Sequence, residues 1–238
     1  MIYVDGASYT YGDELVDPVS QSWPACLSRM LKTKVVNHAK VGKSNEHMVF
    51  DTVNFCINDR PDLVIVAFGP VERKFFVRRE NNFPVDISVS GSNSVYHQHK
   101  ELEQFKNLLF KYWSNYLYDT WKFLQLIVTL ESFLKQRQIP YLLMNTVDQQ
   151  LVIDLLTIST QSADCKYKLL DAFDVMDDNQ IIEVEKQLQS LYNSIDHTNF
   201  YNFGWHFKKL VKFKSHPSAD QHQEIAKFIL NLVPNDSN

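Results

Sequence analysis

The chain has 238 residues, 45% of them apolar and 22% charged, so it can bury a substantial core, and its composition indicates neither disorder nor a membrane class. Formal net charge is −4 and the basic residues form no long block, which removes the electrostatic footprint that nucleic-acid binding requires. The three cysteines, Cys26, Cys56 and Cys165, are odd in number and form no CxxC pair, which fits buried thiols in a reducing compartment better than a disulfide framework. No charged segment leads into an apolar one at the start, and the apolar stretch Leu124 to Leu130 is too short to span a bilayer. The expectation is a cytoplasmic protein without a membrane span.

Short apolar runs alternate with helical patterns over the first 70 residues, the signature of βαβ units. Ile2 to Val4 is the first predicted strand. Helical spacing follows at Trp23, Leu27, Met30 and Leu31, then a strand over Lys34 to Val36. A second helix carries Val49, Val53, Cys56 and Ile57 on one face, with Ser44 as its N-cap. Leu63 to Phe68 is apolar without alternation, as a central parallel strand covered on both faces should be. Pro84 to Tyr96 is rich in Ser and Asn and reads as an exposed loop. Two helical patterns come next. Leu102, Phe105, Leu108, Leu109 and Tyr112 form one stripe, while Trp121 to Leu134 is apolar on nearly all sides and reads as buried. Ile139 to Met144 supplies another strand, and Ile181, Val184, Leu188 and Leu191 mark a later helix. The last helix is announced by the capping-box spacing of Ser218 and Gln221 and by Ile225, Ala226 and Ile229 on one face. His216 and Pro217 therefore stand just before a helix start.

The chemistry gathers at two places. After the first strand the chain reads Asp5-Gly6-Ala7-Ser8-Tyr9-Thr10-Tyr11-Gly12, a serine at a strand-to-helix turn relieved by glycines. A hydroxyl there faces the carboxyl edge of a parallel sheet, where α/β active sites sit. It is not the G-x-S-x-G elbow, since Thr10 replaces the second glycine. The run G-x-S-x-T-x-G resembles the first block of the SGNH (GDSL-type) hydrolases, in which the serine is the nucleophile. His216-Pro217-Ser218, followed by His222 and Ile225-Ala226, is similar to that family's last block, where a histidine before the final helix is the general base. A serine near one terminus needs such a base brought to it by the fold. Asn37 to Asn45 looks like the family's second block, and the resemblance implies the amides of Gly42 and Ser8 as oxyanion-hole donors. Read without the resemblance, Ser8 is a turn residue, Gly42 serves a φ > 0 turn, and His216 and His222 are helix-flanking and helix-face residues.

Three departures weaken the pattern. The family's G-x-N-D becomes Gly69-Pro70-Val71-Glu72, so the asparagine donor is absent: the third donor comes from elsewhere, with Arg73 and Asn45 as the candidates, or is missing. Phe213 stands where the acid three residues before His216 belongs, which leaves a backbone carbonyl or Asp196 to orient the imidazole. Ala7 replaces the aspartate of the first block. Lys208, Lys209, Lys212 and Lys214 read as a solvated face, and the eight histidines show no metal-binding spacing.

The resemblance implies a single α/β domain over residues 1–238, a three-layer α/β/α sandwich around a parallel sheet, with a helical insertion at about 97–137 that serves as a lid or a partner surface. The activity it implies is a serine esterase with Ser8 as nucleophile and His216 as base. The substrate would be a small-molecule or carbohydrate ester, such as an O-acetyl group, with no cofactor and no metal. The competing class is a binding or structural protein that kept the scaffold and lost efficient catalysis. A nucleotide-binding module is disfavoured because Gly6 and Gly12 fit neither GxGxxG nor the P-loop. Oligomeric state is not legible.

Overall fold

The computed structural model describes residues 1–77, 84–87, 100–112, 116–146, 178–202 and 216–233. Five parallel strands form the central sheet: β1 (Ile2–Gly6), β2 (Val35–Asn37), β3 (Leu63–Phe68), β6 (Tyr141–Asn145) and β7 (Phe200–Asn202), in the order β2-β1-β3-β6-β7. β4 (Lys74–Val77) and β5 (Pro84–Ile87) pair with each other as an antiparallel ribbon. The helices are α1 (Ser8–Tyr11), α2 (Pro18–Gln21), α3 (Trp23–Leu31), α4 (Asn45–Asn58), α5 (Lys100–Tyr112), α6 (Tyr116–Gln136), α7 (Asp178–Asn193) and α8 (Ala219–Leu230).

Strand periodicity divides the core between two faces. Tyr3, Val64, Val66, Phe68 and Leu143 point to one side and pack against α4, α6 and α7. Val4, Ile65, Ala67, Leu142 and Met144 point to the other and meet Trp23 and Leu27 of α3 and Ile225, Ala226 and Ile229 of α8. All six residues of β3 are buried, as its unbroken apolar run requires. The three-layer sandwich expected from the sequence is the observed fold. None of the described helices is long and apolar enough to cross a membrane.

One expectation is corrected. Residues 84–87 are not loop: their pairing runs from Pro84 opposite Val77 to Ile87 opposite Lys74, so a nonlocal partner makes a strand of them. The carboxylate of Asp86 in this ribbon accepts from the Ser44 amide (2.9 Å) and hydroxyl (2.6 Å), which ties it to the start of α4. The stretch Trp121 to Leu134 of α6 is buried as expected, with Phe123, Leu124, Ile127, Leu130 and Leu134 packed in the core. Ser44 caps α4 through the His47 amide, and Ser218 and Gln221 form the capping box of α8, both as expected.

Candidate active site

The strand order reverses at β1: the chain first steps from β1 outward to β2, then returns to build β3, β6 and β7 on the other side. Loops leaving β1 and β3 diverge there, and the crevice at their carboxyl ends is where open α/β sheets bind ligands. Ser8 stands at this point as the first residue of α1 and is nearly buried. The turn is possible only with glycine at position 6, since a Cβ there would lie 2.3 Å from Thr10 Oγ1 and 3.1 Å from the Ala67 carbonyl. Gly12, at φ 89°, ends α1 after one turn by capping onto the Ser8 carbonyl. The Ser8 amide, at a helix start, has no intrahelical acceptor.

Gly42 lies in the loop after β2, at φ 77°, in a turn closed by the Lys43 amide donating to the Lys40 carbonyl at 3.3 Å. A positive φ at that turn position suits glycine. The loop is hung on β1 by the His38 amide on the Val4 carbonyl (2.8 Å) and the Lys40 amide on the Gly6 carbonyl (3.2 Å). Lys43, adjacent to Gly42, is wholly buried. Its ammonium contacts both oxygens of Asp5 (2.8 and 2.7 Å), Asp51 (2.6 Å) and the His38 carbonyl (3.2 Å). Burial pushes the Asp5 carboxyl up to about 7, and the Lys43 ammonium and the Gly6 amide oppose that rise.

His216 returns from the far end of the sequence to the same corner. Its ring meets Tyr9 edge-on at 5.3 Å; Nδ1 lies 3.2 Å from Glu14 Oε1 and Nε2 lies 3.6 Å from Asp13 Oδ2. The acids beside the imidazole therefore come from the turn that follows α1. Glu14 holds φ at 69°, a left-handed conformation unfavourable for a side-chain-bearing residue and concentrated at functional sites. Among the described residues no hydrogen bond joins Ser8 Oγ to His216.

The other sequence candidates divide. Arg73 reaches the corner, its Nη1 donating to the Lys43 carbonyl at 3.2 Å beside Gly69. Asn45 clamps the end of β3: its Oδ1 accepts from the Gly69 amide (2.8 Å) and its Nδ2 donates to the Gly69 carbonyl (3.0 Å), leaving one amide hydrogen uncommitted. Val71 is buried in the apolar core, so this position contributes packing instead of a donor. Asp196 is not brought to His216. It precedes β7 and bonds Tyr141 at the start of β6 (3.4 Å) and Lys135 (3.1 Å), which places it at the opposite edge of the sheet. Phe213 and the four lysines from Lys208 to Lys214 lie outside the described residues, as does Cys165.

His222 is buried and structural: its Nδ1 accepts from the Trp23 amide at 3.1 Å and so caps the start of α3, and burial pushes its pKa down to about 4. A second histidine, His47, is held between Asp86 (Nδ1, 2.7 Å) and Asp51 (Nε2, 3.4 Å). No spacing in the sequence marks that pairing. A groove of about 610 Å³ is lined by Tyr11, Pro24, Ser28, Val35, Asn37 and Ala39, and Ser8, Gly42 and His216 are not part of its wall.

A parallel sheet in the order β2-β1-β3-β6-β7 with helices on both faces is a fold that recurs among solved structures, esterases among them. Solved structures share it over nearly the whole chain. TesA superposes with a TM-score of 0.51 at 11% identity, covering 98% of this chain and 97% of that one. The acetyl xylan esterase AlAXEase gives 0.50 at 12%, covering 98% and 100%. The psychrotrophic esterase EstA from Pseudoalteromonas sp., in a structure inhibited by monoethylphosphonate, gives 0.50 at 9%, covering 98% and 95%. At these identities the fold is what is shared. No family model matches the sequence, and no curated protein matches it with significance.

Proposed function

We propose that the protein is a serine ester hydrolase working through an acyl-enzyme. The observation that carries this reading is the convergence of Ser8, at the switch point of the sheet, with His216, which packs on Tyr9 and faces Asp13 and Glu14 of the same turn. Ser8 Oγ adds to the ester carbonyl carbon as its proton passes to His216 Nε2. The resulting oxyanion is held by the amides of Ser8 and Gly42. Collapse breaks the bond to the alcohol, which leaves with the proton from His216. Water, deprotonated in turn by His216, then releases the acid and restores Ser8.

Glu14 is placed to take the orienting role left vacant three residues before His216: its carboxylate lies 3.2 Å from Nδ1 without hydrogen-bond geometry, and closing that bond would favour the tautomer with a free Nε2 lone pair and stabilise the imidazolium. The reaction requires Nε2 to leave Asp13 for Ser8 Oγ, a rearrangement of the kind that accompanies substrate binding. Arg73 and the remaining amide hydrogen of Asn45 are the auxiliary groups nearest the corner. The substrate class we propose is a small or carbohydrate ester, since esterases of similar fold include an acetyl xylan esterase.

The test is hydrolysis of p-nitrophenyl acetate by purified protein, with Ser8→Ala and His216→Ala each expected to remove the activity. One observation favours a second reading, a binding protein on the retained scaffold: both nitrogens of His216 face carboxylates, and Ser8 has no hydrogen bond to it. Wild-type protein no faster than buffer would support that reading.

A further inference from the structure

The buried ion pair beneath the corner connects the two loops that the reaction needs in register. Asp5 is the penultimate residue of β1, three residues before Ser8; its Oδ1 accepts from the Gly6 amide at 2.7 Å, and its Oδ2 accepts from the Tyr3 hydroxyl at 3.0 Å. Lys43 follows Gly42. Its three ammonium hydrogens are consumed by Asp5, Asp51 and the His38 carbonyl, all at 3.2 Å or less. The side chains of Asp5 and Lys43 are both at 0% exposure, so neither charge has access to water. An ion pair so enclosed gains little net stability over apolar groups of the same volume, because desolvation offsets the attraction. What it supplies is geometry: the pair fixes the distance between the end of β1 and the Gly42 turn, where two backbone hydrogen bonds from His38 and Lys40 leave residues 41 and 42 otherwise unanchored to β1.

We propose that the Asp5–Lys43 pair is a positioning element that holds the Gly42 amide in register with the Ser8 amide, so that the oxyanion site is assembled only while both charges are in place. This rests on the serine-hydrolase reading. Asp5 and Lys43 touch no substrate; they act through the backbone of Gly6 and Gly42. The oxyanion forms only in the transition state, so loss of the pair should appear in kcat and leave KM unchanged.

The experiment compares wild type, Asp5→Asn and the double variant Asp5→Asn/Lys43→Met. Readouts are kcat and KM on p-nitrophenyl acetate, the rate at which a fluorophosphonate labels Ser8, and thermal unfolding. The double variant removes both wholly buried charges together; Asp51 loses its contact with Lys43 but keeps His47 beside it and partial access to water. It is expected to unfold cooperatively near the wild-type temperature, with kcat reduced about tenfold to a hundredfold, KM within about twofold, and labelling slowed in parallel. Asp5→Asn, nearly isosteric, should show the same split if the double variant does not fold. A folded variant with wild-type kcat, or one impaired through KM alone, overturns the positioning role. Wild-type protein inert to both ester and phosphonate is the separate failure of the hydrolase reading and removes this proposal with it.

Discussion

Replacing His222 by Asn should remove an acid-sensitive element of the fold. In the native protein the imidazole is buried between α8 and α3, its Nδ1 accepting from the Trp23 amide, and burial together with the charge of His216 pushes its pKa from 6.5 to about 4. The unfolded chain binds a proton at this residue between those values and the folded chain does not, so stability is full above about pH 6.5 and falls as pH drops toward 4. A shift of that size amounts to about 3 kcal/mol. Asn retains an acceptor near the Nδ1 position but cannot be protonated there. At pH 7.5 the variant should be less stable than wild type by about 1–2 kcal/mol, from the volume lost in a packed interior. Near pH 4.5 the difference should vanish or reverse. Asp5 works in the opposite sense, since its raised pKa makes stability fall as pH rises from 3.8 to about 7, but that contribution is common to both proteins and cancels in the comparison. Urea unfolding followed by tryptophan fluorescence measures it directly, Trp23 being buried beside the substituted residue. A gap between wild type and variant that stays constant from pH 7.5 to 4.5 would refute the reasoning.

Other outcomes are specific to the site. Glu14→Gln should lower kcat by about ten- to a hundredfold, less than removal of His216, because the carboxylate is half exposed; Asp13→Asn should cost less. An unchanged kcat in Glu14→Gln would remove Glu14 from the orienting role. Gly6→Ala must displace Thr10 or the end of β3, and should destabilise the fold by about 2–3 kcal/mol in denaturant titrations.

Features repeated locally along the chain were the ones legible in sequence. β3 is an unbroken apolar run and is buried throughout, and the S-x-x-Q spacing before α8 is a capping box in the structure. Features made by distant pairing were not legible. Residues 84–87 carry too little apolar pattern to read as a strand until Lys74–Val77 lies beside them, and β7 has only three residues. The Asp5–Lys43 pair joins residues 38 apart through parallel strands, and no periodicity reports it. The acids at His216 escaped because the resemblance points to Phe213, whereas Asp13 and Glu14 belong to the turn that follows Ser8. The one local trace of that arrangement is the left-handed backbone of Glu14, which sequence does not display.

The central claim is that Ser8 is a nucleophile activated by His216, and reaction with a fluorophosphonate tests it without knowledge of the natural ester. Intact mass and peptide mapping should show one adduct per chain, located on Ser8, absent in Ser8→Ala and formed far more slowly in His216→Ala. Wild-type protein that remains unlabelled, or an adduct that persists in Ser8→Ala, would contradict the account.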